Sequence, residues 1–146
     1  MRGLFASALL VVVACSHGDE GPQWVQVVRD GNYDIWIDTS RVGLDTIQEL
    51  RRKIPVRDVW YRTDHKIPRL HGDKEFDREL VHSRVTCFAV PQFKVLAVDM
   101  SMRGGKLIAR QRTKDIDQPW RTIERGTSEE IAAAAACHYA ATTASK

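Results

Sequence analysis

Short segments with strand-like alternation follow one another through most of the chain, and a single alanine-rich segment closes it. In Tyr33–Asp38 the first, third and fifth residues are apolar or aromatic and share one face, the period of a half-buried strand. Trp36 falls on the opposite face, so either both faces are partly covered or Trp36 is exposed. Asp30 and Gly31, just before this segment, are typical of a tight β-hairpin turn. These features favour a fold built on an antiparallel sheet.

Five further segments are expected to form strands, which gives about six strands in sequential antiparallel order, consistent with a meander. They are Trp24–Val28, Val56–Thr63, Leu80–Phe88, Phe93–Met102 and Lys106–Arg112. Gly104 and Gly105 separate the last two, and such a glycine pair suits a hairpin turn.

Two segments between these strands have different patterns. Asp45–Lys53 has weak helical spacing through Ile47 and Leu50, so we expect a short helix there. His65–Lys74 contains a proline, a glycine and an aspartate, and this composition predicts a loop.

The last element is predicted to be a helix. Thr127 and Glu130 have the spacing of a capping box, in which the threonine caps the Glu130 amide and the glutamate reaches back. The following segment, Ile131–Tyr139, is rich in alanine, the strongest helix former. Because alanine is small, the helix can lie close against a sheet. The sequence therefore predicts an α+β domain in which a C-terminal helix packs on one face of an antiparallel sheet.

The N-terminal segment has the features of an export signal. Arg2 precedes an apolar stretch, Leu4–Val13, that is far shorter than the roughly 20 residues needed to span a bilayer. The run Val12–Cys15 resembles a bacterial lipobox, which implies that Cys15 is acylated and that the chain is cut before it. By resemblance to lipoprotein sorting in diderm bacteria, Ser16 in the next position favours the outer membrane. The alternative is an ordinary secretory cut that releases a soluble protein with Cys15 exposed.

The chain has three cysteines, an odd number for an oxidising compartment. If Cys15 carries lipid, Cys87 and Cys137 remain as a pair. A bridge between them would close a long loop and contribute about 4 kcal/mol in the chain-entropy model. The alternative is two buried free thiols, but export favours the disulfide. The expected organisation is a signal peptide at 1–14, a lipidated tether at 15–22, a folded domain at 23–141 and a flexible tail at 142–146.

The charge balance argues against a nucleic-acid-binding role. The formal net charge of the chain is +3, and removal of residues 1–14 takes away one arginine and no acid. Such a nearly balanced chain lacks the strong positive field of a dedicated nucleic-acid binder.

Catalytic patterns are weak. His65 and His71 lie in one predicted loop with Asp64 and Asp73 nearby, but no tight two-ligand motif with a third partner is visible, so solvated polar side chains are the preferred interpretation. We find no serine–histidine–acid order and no phosphate-binding loop. The sequence therefore predicts no catalytic residues, no metal site and no cofactor.

Basic clusters offer an alternative way to act, by contact. The most compact consists of Arg51, Arg52 and Lys53, and it would suit an acidic glycan, an anionic protein or lipid A phosphates. The competing interpretation is an ordinary solvated surface balanced by nearby acids. Lys146 ends the sequence, and a C-terminal lysine is the group that kringle domains of plasminogen bind. The alternative interpretation is that Lys146 belongs to an untethered tail with no binding role.

The order of several residues resembles the bacterial surface-adhesin protein E family. The residues that carry the resemblance are Trp24-Val25, Ile35-x-Ile37-Asp38-Thr39-Ser40, Val59-Trp60, Ser83, Cys87, Gly105, Trp120-x-x-Ile123, Gly126-Thr127 and Cys137. The resemblance runs from about Gln23 to Cys137. It departs where the family often has Pro-Gly-Ser before the helix and this chain has Arg125-Gly126-Thr127, and the segment Asp64–Glu79 does not align.

The resemblance implies a sheet-plus-helix domain on an exported lipoprotein, an adhesin for host extracellular-matrix or plasma proteins, and a homodimer as its assembly. We therefore expect a lipid-anchored envelope binding protein. The alternative is a periplasm-facing structural or envelope-assembly lipoprotein with no host ligand.

Overall fold

A computed structural model describes residues 21–49 and 51–143, which form eight strands and one α-helix. In chain order they are β1 (Trp24–Arg29), β2 (Tyr33–Asp38), β3 (Gly43–Glu49), β4 (Arg52–His71), β5 (Lys74–Val85), β6 (Gln92–Ser101), β7 (Leu107–Arg112), β8 (Arg121–Thr122) and α1 (Ser128–Thr143). Two 3₁₀ turns, Thr39–Arg41 and Asp115–Asp117, lie between strands.

The strands form a single antiparallel sheet in the order β1-β2-β4-β5-β6-β7. The long strand β4 pairs with β3 along its first half and with β2 along its second, while β5 lies along its other edge. The short strand β8 pairs with the start of β6. This architecture confirms the predicted antiparallel sheet with a C-terminal helix. It adds β3 and β8 to the expected six strands, so the path is not a simple meander.

The helix predicted for Asp45–Lys53 is wrong, because this segment belongs to a hairpin. β3 pairs with the first half of β4, and Ile47 stands opposite Ile54. Arg51 has a φ of 64°, the left-handed conformation that allows a tight reversal between the two strands. The β-branched Thr46 and Ile47 suit a strand, and pairing outweighs the weak helical spacing.

The loop predicted for His65–Lys74 is also wrong, because β4 continues to His71 and turns directly into β5. Gly72 has a φ of 63° and supplies the left-handed conformation at the reversal. The register shifts between Asp64 and Arg69, which forms an irregular bulge that contains Pro68. A bulge tolerates proline because its missing N–H removes no ladder hydrogen bond there.

The hydrophobic core lies between α1 and one face of the sheet. Its fully or nearly buried members are Ile37, Val59, Tyr61, Val81, Val85, Ala132, Ala133 and Ala136. The alanines lie at helical spacing on the inner side of α1, which places the helix backbone close to the strands. The alternation predicted for Tyr33–Asp38 is confirmed, since Ile35 and Ile37 are buried while Trp36 lies on the other face.

Both ends of α1 are fastened as the sequence predicts. Thr127 Oγ1 accepts a hydrogen bond from the Glu130 amide at 3.3 Å, and the Glu130 carboxylate accepts one from the Gly126 amide at 2.7 Å. Near the other end, Cys137 forms a disulfide with Cys87, which follows β5, and their Cα atoms are 5.7 Å apart. The predicted disulfide is therefore confirmed. No helix among the described residues is long and apolar enough to cross a membrane.

Candidate partner-binding surface

The hairpin formed by β4 and β5 extends beyond the rest of the sheet. The pairing of β4 with β2 ends at His65, opposite Tyr33, and the pairing of β5 with β6 begins at Arg78. Residues 66–77, here called the projecting hairpin, therefore have no neighbouring strand on their outer edges within the described residues. Ile67 and Leu70 on this hairpin are 74% and 68% exposed. Two large apolar side chains so open to water mark a surface suited to contact with a partner.

The base of the projecting hairpin is held firmly against the sheet. The Lys66 amide donates to the Asn32 carbonyl at 2.8 Å, and its ammonium group pairs with Asp34 at 2.6 Å. On the other side, the Arg103 amide donates to Asp77 at 2.7 Å. These contacts fix the base of the hairpin, whereas its apolar side chains remain accessible.

Beneath the bulge, aromatic packing fastens the same base. Phe76 is 3% exposed and meets the His65 ring edge-on, with ring centroids 6.0 Å apart. The Arg103 guanidinium donates to the His65 carbonyl. The bulge thus closes over an aromatic anchor, which orients the exposed residues that follow it.

A cleft of about 350 Å³ separates the projecting hairpin from the N-terminus of α1. We call it the hairpin cleft. Gly126 and Ser128 place it beside the first residues of α1, on the helix-covered face of the sheet. Its lining residues are Asn32, Tyr33, Thr63, His65, Ile67, Pro68, Arg69, Glu79, Gly126 and Ser128.

The polar groups of the hairpin cleft differ in whether they have hydrogen-bond or ion-pair partners within the described residues. His65 Nε2 lies 3.0 Å from the Glu79 carboxylate, so these two side chains pair with each other. Thr63 is 3% exposed, and its hydroxyl has no hydrogen-bond partner in the described part of the chain. Arg69 is exposed and likewise forms no ion pair with the described residues. The cleft therefore offers one hydroxyl and one cation to a ligand.

Tyr61 lies deeper than the hairpin cleft and belongs to the core. Burial, followed by the charge of Glu129, raises its pKa well above the ordinary range of a phenol. Its hydroxyl approaches the Glu129 carboxylate at 3.5 Å. A phenol that stays protonated at any physiological pH has a structural role in the contact between sheet and helix.

The structure separates the basic clusters singled out in the sequence. Arg51, Arg52 and Lys53 are exposed around the β3–β4 turn, at the opposite end of β4 from the projecting hairpin. A strand of 20 residues spans roughly 60 Å. One small ligand therefore cannot contact both Arg51–Lys53 and Arg69.

A third basic group, on β7, is paired internally. Arg110 and Arg112 both contact Asp99, at 3.1 Å and 2.6 Å. The hydrogen bond from Arg112 is the largest of the effects that hold the pKa of Asp99 below its usual value. Charges engaged in this way are less available to a partner.

The face of the sheet opposite α1 is covered by its own aromatic and charged side chains. The Arg62 guanidinium lies 4.9 Å from the Trp36 ring and 5.1 Å from the Trp24 ring. Trp60 stacks on His82 with ring centroids 4.5 Å apart. The position of Trp36 is thereby explained, because neighbouring side chains partly cover this face. Residue patterns did not reveal these stacked pairs; the only signal was tryptophan at a polar position of an alternating strand.

The histidines that the structure describes do not come together as a metal site. His65 pairs with Glu79, Asp64 contacts Arg78 and Arg62, and His71 lies near the tip of the projecting hairpin. Within residues 21–49 and 51–143 there is no group of three or more histidine, cysteine, aspartate or glutamate side chains placed to hold a metal ion. The predictions for Cys15 and Lys146 concern positions outside the described residues.

The fold and this surface define a class of protein: a small sheet-and-helix domain that contains one disulfide and carries an exposed projecting hairpin. Residues 24–138 match the surface-adhesin protein E family. The chain belongs to that family, which confirms the resemblance seen in the sequence. No curated protein and no solved structure gives a significant match. Family membership indicates an adhesin at the cell surface and suggests a non-enzymatic role.

Proposed function

We propose that this protein is a lipid-anchored outer-membrane adhesin that binds a host extracellular-matrix or plasma protein by contact. The observation that carries the proposal is the projecting hairpin, with Ile67 and Leu70 exposed beside an open cleft, on a member of an adhesin family. Isolated apolar side chains are common on protein surfaces. Here two such side chains lie on a hairpin whose base is fixed and which flanks a cleft. A partner protein can bury a surface of this kind.

The direction of the strands supports an outward orientation of the projecting hairpin. β1 and β4 both pair antiparallel with β2 and therefore run the same way. The chain thus enters the sheet at Trp24 and runs toward the end that carries the hairpin. A lipid on Cys15 would hold the domain from the side where β1 begins, which favours a hairpin directed away from the membrane.

The residues proposed from the sequence have separate roles in this arrangement. Arg51, Arg52 and Lys53 are proposed as a secondary contact for an anionic group, at the end of β4 away from the projecting hairpin. Lys146 is proposed as a ligand for lysine-binding domains. A homodimer formed through unpaired strand edges is a further proposal, and the molar mass of the protein in solution tests it.

The lipid anchor is tested by mass spectrometry of the mature N-terminus. We expect a diacylated or triacylated Cys15 as the first residue, and release of the protein from membranes after Cys15→Ser. An unmodified Cys15, or a cut at another position, would refute the anchor.

Partner binding is tested by capture of immobilised matrix and plasma proteins on cells that make the protein. We expect capture to fall at least tenfold in the double variant Ile67→Ser, Leu70→Ser, because its apolar contacts are lost. The matched control is Leu44→Ser, which changes an equally exposed apolar residue on β3 and should leave the capture unchanged. If wild-type cells capture no more than cells lacking the protein, the periplasm-facing structural role takes the place of the adhesin role.

A further inference from the structure

We propose that the hairpin cleft accepts a tyrosine side chain from an acidic segment of the partner protein. This inference rests on the proposed function and adds to it the chemistry of the group that is recognised. Three parts of the cleft carry it: apolar walls, a threonine hydroxyl at the floor and a cation at the rim.

The walls of the cleft suit an aromatic ring. Tyr33 on β2 and Ile67 and Pro68 of the bulge all line the cleft. The bulge is fastened by the contacts of Lys66 and Phe76, so the walls are in place before a ligand arrives. A preformed slot loses little conformational entropy when a rigid ring enters it.

The floor of the cleft selects for a ring with a polar end. Thr63 is almost fully buried, and its hydroxyl lacks a hydrogen-bond partner among the described residues. The hydroxyl itself is not fully buried, and a ligand that bonds to it in place of water adds the modest net stabilisation of one hydrogen bond. A tyrosine combines the apolar ring that the walls require with a phenolic hydroxyl that can reach Thr63.

The rim of the cleft favours carboxylates next to the tyrosine. Arg69 lines the cleft and is exposed without an ion pair to the described residues, while Glu79 is engaged by His65. His71 and Lys74 stand opposite each other farther along the projecting hairpin. An acidic residue beside the tyrosine would therefore meet a free guanidinium.

Two features argue against pairing of a partner strand with the projecting hairpin and against its insertion into a lipid surface. Pro68 interrupts the outer edge of β4, so a partner strand could not form a continuous hydrogen-bonded ladder there. At the tip, Asp73 lies in the turn, and Glu75 stands opposite Leu70. Insertion into a lipid surface would desolvate these carboxylates, which favours a protein partner.

The test is a titration of the mature chain, carrying Cys15→Ser to keep it in solution, with three capped peptides. They have the sequences Asp-Glu-Tyr-Asp-Glu, Asp-Glu-Phe-Asp-Glu and Asp-Glu-Ala-Asp-Glu. Binding is followed by amide shifts in NMR spectra. We expect saturable shifts around Tyr33, Thr63 and Ile67, with the tyrosine peptide binding about fivefold more tightly than the phenylalanine peptide because of one added hydrogen bond. The alanine peptide should not saturate.

Two variants locate the interaction. Thr63→Val keeps the side-chain shape and should remove the preference for tyrosine over phenylalanine without weakening the phenylalanine peptide. Ile67→Ser changes an exposed residue and should weaken both aromatic peptides about tenfold. Leu70→Ser, on the same hairpin but outside the cleft lining, is the matched control and should change neither.

Equal affinity for the tyrosine and phenylalanine peptides, or a preference that survives Thr63→Val, would overturn the proposal. Saturation by the alanine peptide would also do so. Binding to phosphatidylglycerol vesicles that Ile67→Ser abolishes, with no binding of any peptide, would assign the hairpin to a lipid surface instead. Capture of a host protein by cells is measured separately, so loss of the tyrosine site alone leaves the adhesin function standing.

Discussion

Asp58 connects two strands through its charge. On the face opposite α1, its carboxylate lies 3.2 Å from His82 Nε2 and accepts a hydrogen bond from Arg84 Nε at 3.0 Å. Desolvation raises the pKa of this carboxyl, but the hydrogen bonds from His82 and Arg84 outweigh that effect, so its pKa lies below the usual value. The charged form of Asp58 therefore stabilises the native state.

The Asp58 contacts predict a specific loss of stability in acid. A carboxyl whose pKa is lower in the folded state stabilises the protein above its unfolded-state pKa, near 4, and loses this effect as the pH falls through the folded value. The variant Asp58→Asn should be less stable than wild type at pH 7, and the difference should shrink by pH 3. Urea unfolding at both pH values measures it. An unchanged difference would contradict the role of the charge, and Asp30→Asn in an exposed turn serves as the control.

Single residues also mark where sequence patterns succeed and fail. Alternation predicted the faces of Ile35, Ile37 and Trp36, because a strand has a strict period of two. Alternation could not predict that Thr63 would be buried with no hydrogen bond from its hydroxyl to the described residues. This depends on where the N-terminus of α1 lies above the sheet. Nor could alternation predict the stacking of Arg62 on two tryptophans, which requires the register of three strands.

The close approach of α1 to the sheet depends on small side chains. Ala136 is fully buried, whereas Ala134 is exposed on the same helix. We expect Ala136→Leu to lower the free energy of unfolding by about 1–3 kcal/mol, because the added atoms overpack the core. Ala134→Leu is the matched control and should change it by less than about 0.5 kcal/mol, since surface substitutions have small effects. Equal effects in thermal or urea unfolding would contradict the packing of this helix face.

Helix α1 and the hairpins differ in how far local sequence determines them. The capping box and the alanines predicted α1 because both signals are local. The hairpin of β4 and β5 was missed because Pro68 and Gly72 are loop signals in isolation, yet here one sits in a bulge and the other in a tight turn. β3 was missed because pairing with β4 outweighs weak propensity. The hairpin cleft could not be predicted, since it forms between these misassigned segments and α1.

The disulfide joins the two layers of the molecule. Cys87 and Cys137 are 50 residues apart in the chain, and their bridge ties α1 to the end of β5. Replacing both with alanine should lower the free energy of unfolding by about 4 kcal/mol, because the unfolded chain gains conformational freedom. Urea unfolding of the double variant measures this. A loss below about 1 kcal/mol would contradict a stabilising role for the bridge.

The proposed adhesin function requires that the domain is displayed outside the cell, where the projecting hairpin can contact a host protein. Protease treatment of intact cells, followed by mass spectrometry of the released peptides, tests this directly. We predict cleavage of the exposed hairpin around Arg69 and Lys74 in intact cells, while a periplasmic control protein stays whole. Protection of the hairpin in intact cells, with cleavage only after the outer membrane is permeabilised, would contradict the adhesin function.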